Sequence, residues 1–109
     1  MADTLQRLIR AAEEFRRLDP DMPTQTALTL LTIASSPGLT VREVQERLGF
    51  APSSASRNVA ALSDRNRHGQ PGLGLITYRV NPTDYRCKQL FLTPKGQRFI
   101  NTVINILEG

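Results

Sequence analysis

The sequence predicts a mainly α fold with a small β-hairpin (α+β), in the order α-α-α-α-β-β-α. Three observations predict it. Apolar residues recur at helical three- and four-residue spacing through most of the first 62 positions and again after Pro94. Two short runs rich in β-branched and aromatic residues flank a turn signal at Asn81-Pro82-Thr83-Asp84. Helix-start signals stand at Thr40 and Thr93.

The first helix rests on Leu5, Leu8, Ile9, Ala12, Phe15 and Leu18 within residues 4–18, and the Asp19-Pro20-Asp21-Met22-Pro23 run ends it. The second, Thr24 to Ser35, carries Ala27, Leu28, Leu30, Leu31, Ile33 and Ala34. These are apolar on more than one side, so a helix sandwiched between neighbours at the centre of the core is expected. Pro37-Gly38 then breaks the chain. Thr40-Val41-Arg42-Glu43 is a capping box that starts a short third helix ending at Leu48, with Gly49 suited to the helix C-terminus. Pro52 opens the fourth helix, whose Ala55, Val59 and Leu62 fall at i, i+4 and i+7. Two short helices joined by a tight glycine-containing turn form a helix-turn-helix.

Residues 64–74 hold three glycines, one proline and few apolar groups, and read as a solvated loop feeding the hairpin. The strands are expected at Leu75–Val80 and Cys87–Leu92, with Leu90 and Leu92 sharing one face and Lys88 nearer the tip. A two-stranded hairpin is marginal alone and must pack on helices. Thr93 caps the last helix, and Pro94 occupies a first-turn position where its missing N–H costs nothing. Phe99, Ile100, Val103, Ile104 and Leu107 form an apolar stripe along it.

At 109 residues the chain is expected to be a single domain over 1–109, with a core of 24–96 flanked by helices at 1–19 and 94–108. One cysteine excludes an intramolecular disulfide, and one histidine excludes a Cys/His zinc cluster, so neither a metal nor a cofactor is expected. No signal peptide and no 18-residue apolar span occurs, which points away from a membrane and to the cytoplasm. The chain shows no paired carboxylates at a recognisable spacing, no phosphate-binding glycine loop and no Gly-x-Ser-x-Gly turn; an enzyme is not expected. His68 has no companion ligand and reads as solvent-exposed. Cys87 reads as an unreactive thiol.

The net charge of +4 is modest, but its distribution is uneven. Residues 1–50 carry six Arg/Lys against seven Asp/Glu. Residues 51–98 carry Arg57, Arg65, Arg67, Arg79, Arg86, Lys88, Lys95 and Arg98 against Asp64 and Asp84 alone. One surface is therefore cationic, as a nucleic-acid binder requires. The fourth helix shows Ser53, Ser54, Ser56, Arg57, Asn58 and Ala61 opposite its apolar stripe. That face is compact, carries no acid before Asp64, and suits a DNA major groove.

The Ser56-Arg57-x-Val59-x-x-Leu62 pattern, Gly74-Leu75-Ile76, and Asp84-x-Arg86 running through Leu90, Leu92-Thr93 and Gly96 together resemble the MarR-type winged-helix family of transcriptional regulators. The resemblance covers roughly residues 24–100. It implies a winged helix-turn-helix, a transcriptional repressor that binds a palindromic double-stranded DNA site as a homodimer with the recognition helix in the major groove and the wing in the minor groove. On that reading Ser53, Ser54, Ser56, Arg57 and Asn58 face the major groove, with Arg57 and Asn58 as base readers. Arg79, Arg86 and Lys88 serve the wing, Asp84 bracing Arg86. The chain looks like a short member without the usual C-terminal dimerisation helices, so Leu5 and Leu8 of the first helix with Phe99, Ile100, Val103, Ile104 and Leu107 of the last are expected to form the dimer interface. A small-molecule effector is left open. Two other readings remain: a winged helix used as a protein-interaction module, adaptor or inhibitor, and a replication or partition factor.

Overall fold

Among the described residues seven elements follow in the expected order: α1 (Ala2–Leu18), α2 (Thr24–Ser35), α3 (Val41–Leu48), α4 (Pro52–Leu62), β1 (Ile76–Asn81), β2 (Asp84–Leu92) and α5 (Pro94–Glu108). This computed structural model describes residues 2–64 and 71–109, with the backbone alone for 81 and 84–87. No helix among the described residues is long and apolar enough to cross a membrane.

Both ends of α3 are set by local chemistry. The Glu43 N–H donates to Thr40 Oγ1 at 3.1 Å, and the Thr40 N–H donates to Glu43 Oε1 at 3.1 Å. This reciprocal cap satisfies two orphan amides and contributes about 1 kcal/mol. At the other end Gly49 adopts φ +70°, a left-handed conformation that turns the chain within three residues into Pro52. The helix-turn-helix is thus written locally.

The hairpin is antiparallel, with Ile76 opposite Leu92, Tyr78 opposite Leu90 and Val80 opposite Lys88. Its strands run further toward the tip than the apolar runs predict, leaving only Pro82 and Thr83 as the turn, with a register shift between Val80 and Asn81. A ladder is built from backbone groups, so polar residues extend it as well as apolar ones. A further partner lies outside the expected strands. Gly38 N–H donates to Leu90 O at 2.9 Å and Leu90 N–H to Leu39 O at 2.8 Å, so the α2–α3 connection pairs with the far edge of β2. That pairing anchors the hairpin to the helix-turn-helix.

The core gathers Leu30 and Ile33 of α2, Leu39, Val44, Leu62, Leu75, Ile76, Leu90 and Ile100. Each fully buried aliphatic side chain stabilises the fold by roughly 1.5–3 kcal/mol. Two side chains of the second helix depart from expectation, for Leu28 and Leu31 are 41% and 40% exposed. α2 packs against α3, α4, β2 and α5 as a central helix should, and the face of Leu28 and Leu31 is the part that the described residues leave uncovered.

The flanking helices also divide differently. α1 packs on α5, where Phe15 and Phe99 meet edge to face at 5.0 Å. Ile100 and Val103 are buried inside the chain itself, which corrects their assignment to an interface between copies. Steps of three and four residues along α5 turn both toward the chain's own core, while Ile104 and Leu107 turn outward and stay exposed with Leu5, Leu8 and Ile9.

Candidate nucleic-acid interface

The placement of α4 and the hairpin relative to each other is set by a backbone clamp. After the loop, Leu73 N–H donates to Ala61 O at 3.0 Å, Leu75 N–H to Leu62 O at 2.8 Å and Gly74 N–H to Ser63 O at 3.0 Å. These bonds satisfy carbonyls that the end of α4 leaves free. Thr93 Oγ1 then donates to Gly74 O at 2.7 Å while accepting from the Gly96 N–H at 3.0 Å, so one hydroxyl caps α5 and ties it to the strand entry. Lys95 Nζ donates to Leu73 O at 2.8 Å. The tail of α4, the base of the wing and the start of α5 form one hydrogen-bonded unit.

On α4, Ser53, Ser56 and Arg57 are exposed together. Ser54 is half-buried, and its hydroxyl accepts from Arg57 Nη2 at 3.3 Å, which holds the guanidinium over the first turn of the helix. Ala51 at the N-cap supplies no side-chain hydrogen bond and Pro52 has no N–H. The first-turn amides therefore face outward beside two serine hydroxyls and an arginine, an arrangement suited to a phosphate.

Asn58 is a correction. Expected as a base reader, it is only 8% exposed; its Oδ1 accepts from the Thr26 hydroxyl at 2.8 Å, and its Nδ2 donates to Gln25 Oε1 at 3.4 Å. The cause is visible in the spacing, because Asn58 occupies the i+3 position of the Ala55, Val59, Leu62 stripe and must point inward with it. Thr26, its partner on α2, carried no signal in its residue type. Its position with Thr29, Leu30 and Ile33 at i, i+3, i+4 and i+7 could have shown its burial.

The described wing cations sit on aromatic rings. Lys88 Nζ lies 4.5 Å from the Tyr78 ring centroid and the Arg79 guanidinium 4.8 Å from that of Phe91. At exposed sites such contacts contribute about 0.5–1 kcal/mol each and hold long side chains in place without cancelling their charge. By the two-residue alternation of a strand, the two cations leave opposite faces of the hairpin. The side chains of Asp84, Arg86 and Cys87 lie outside the described residues, as do Arg65, Arg67 and His68.

Ion pairing leaves this surface cationic. Among the described residues the salt bridges are Arg16–Glu13, Arg17–Glu14 at 2.9 Å and Arg42–Glu46 at 3.1 Å, all on α1 and α3. Arg57, Arg79 and Lys88 have no acidic partner in that set. Next to α4 an open cleft of about 480 Å³ lies between the start of α2, α4 and residues 71–73, with Arg57 and Asn58 on its wall.

A short helix, a tight turn, an exposed serine- and arginine-bearing second helix, and a cationic hairpin clamped beside it define a winged helix-turn-helix. Residues 21–66, less than half of the chain, match the sequence model of the MarR family, and that stretch is similar to it. The fold is similar to that in the S. aureus MepR–DNA complex, at 21% identity and TM-score 0.70, over 94% of this chain and 74% of that one. It is similar to the transcriptional repressor CouR bound to a 23-mer DNA duplex, at 24% identity and TM-score 0.63, over 94% and 68%. It is also similar to the MarR family transcription regulator SP03579, at 27% identity and TM-score 0.65, over 93% and 62%. The chain spans less than two-thirds of the length of MarR itself, 63%. The proteins it resembles include transcriptional regulators. No curated protein matches it in sequence.

Proposed function

We propose that the protein is a sequence-specific, double-stranded DNA-binding transcriptional regulator of the cytoplasm, a repressor that binds a palindromic site as a homodimer. α4 enters the major groove with Arg57 as base reader and Ser53, Ser54 and Ser56 positioning the backbone. The wing approaches the adjacent minor groove with Arg79 and Lys88. The observation that carries this reading is the exposed Ser53–Ser56–Arg57 face at an open helix N-terminus, beside wing cations without acidic partners among the described residues. MepR and CouR, two of the structures of the same fold, are complexes with DNA. The exposed Leu5, Leu8, Ile104 and Leu107 supply the dimer surface, beside the half-buried Phe99.

Selection from a random duplex library at near-physiological salt tests the reading. It expects an enriched inverted repeat with half-sites about one helical turn apart. Retention without enrichment refutes sequence specificity, and no retention leaves a protein-interaction module as the better account.

A further inference from the structure

Among the described side chains of α4, Asn58 is the one whose polar end is turned into the fold, and its partner comes from the core helix α2. Oδ1 accepts from Thr26 Oγ1 at 2.8 Å, with Asn58 8% and Thr26 3% exposed. α2 is itself immobilised by Leu30 and Ile33, both fully buried. Leu62 and the backbone bonds from Leu73, Gly74 and Leu75 hold the C-terminal end of α4, but the part that carries Ser56 and Arg57 has a thin apolar seam, since Ala55 offers a single methyl and Val59 is only half-buried. Apolar contacts of that kind tolerate small rolls, whereas a hydrogen bond weakens steeply as it bends. Away from its partner, a buried amide or hydroxyl is left unpaired at a cost of about 1–3 kcal/mol.

We propose that the Thr26–Asn58 hydrogen bond sets the roll of α4 about its own axis and thereby aims Ser56 and Arg57, making the pair positioning residues for base selection. The inference rests on α4 being the base-reading helix. A roll of about 20° displaces a side-chain end at the ~6 Å helix radius by about 2 Å. That exceeds the tolerance of a bidentate contact to a base edge. Phosphate contacts are less demanding, because a cation reaches any nearby oxygen.

The test uses the full chain with Thr26→Val/Asn58→Leu, which replaces both buried partners by apolar groups and leaves no buried group unpaired, the exposed Gln25 amide that Asn58 also contacts turning to water. Two quantities are measured: amide residual dipolar couplings of α4 relative to α2 in the free protein, and the ratio of affinities for the selected duplex and a scrambled one. The couplings are expected to change and the ratio to fall at least tenfold, with affinity for the scrambled duplex and its salt slope unchanged. Thr26→Ser, which keeps the hydroxyl, retains wild-type couplings and ratio. Should the double variant not fold, Thr26→Val alone is read in the same way. Wild-type couplings in the folded variant overturn the proposal, as does an unchanged ratio where the couplings have moved. A wild-type chain that prefers neither duplex overturns the base-reading role of α4 instead, and the couplings still decide the roll.

Discussion

Replacing Gly96 by alanine sets local propensity against tertiary packing, and the two predict opposite signs. Gly96 lies in the first turn of α5, where alanine is favoured over glycine by about 1 kcal/mol in a helix interior. Propensity alone therefore predicts stabilisation. In the fold, however, a Cβ at this position falls 2.0 Å from Leu75 O and 3.0 Å from its carbonyl carbon, both backbone atoms of a residue with no exposed surface. Relief requires the start of α5 to move away by more than an ångström. The same oxygen accepts the Thr93 N–H at 3.0 Å, and Thr93 Oγ1 holds Gly74 O and the Gly96 N–H, so the displacement strains three hydrogen bonds. Overpacking costs about 1–3 kcal/mol and each weakened bond up to about 1. Against the ~1 kcal/mol gain the net is a destabilisation of about 2–4 kcal/mol. For a domain of this size that lowers Tm by roughly 10–20 °C. Thermal unfolding followed by far-ultraviolet circular dichroism, at one fixed protein concentration, measures it. A Tm equal to or above that of the wild type refutes the packing argument.

Other outcomes follow from the same structure. Thr40→Ala removes the capping box of α3 and is expected to cost about 1 kcal/mol in urea unfolding with the m-value unchanged; no shift in midpoint contradicts the cap. Arg57→Ala is expected to relax sequence preference by about 1–3 kcal/mol at one base position, whereas Lys88→Ala weakens all sequences alike and lowers the salt slope by about one. Equal losses on every duplex for both variants count against this division of labour. Leu8→Glu alters a side chain 58% exposed within the chain, so it should leave the fold intact while halving the sedimenting mass. A wild-type chain that sediments as a monomer at micromolar concentration removes the dimer.

Much of this fold is legible because its signals are local. The Thr40–Glu43 box, Gly49 at φ +70°, Pro52 and the Thr93-Pro94 start each act within a few residues, and each element boundary they mark lies where they place it. The paired strands were also recognisable, but not the partner at Gly38–Leu39, which meets Leu90 across some fifty positions and has no strand composition of its own. Asn58 was readable in one respect, since its position in the stripe demanded burial. Its residue type suggested a base contact instead.

By itself the sequence determined the order of elements, the helix-turn-helix and the basic character of the second half, because caps, turns and charge are properties of residues and their near neighbours. Tertiary structure alone decided how the apolar and polar faces were shared out. It buried Ile100 and Val103 within the chain and left Leu5, Leu8 and Ile104 outside, since a helical stripe is wider than the surface any one neighbour covers. It turned Asn58 toward Thr26 and left Arg57 facing outward, because only the position of α2 defines which side of α4 is the inside.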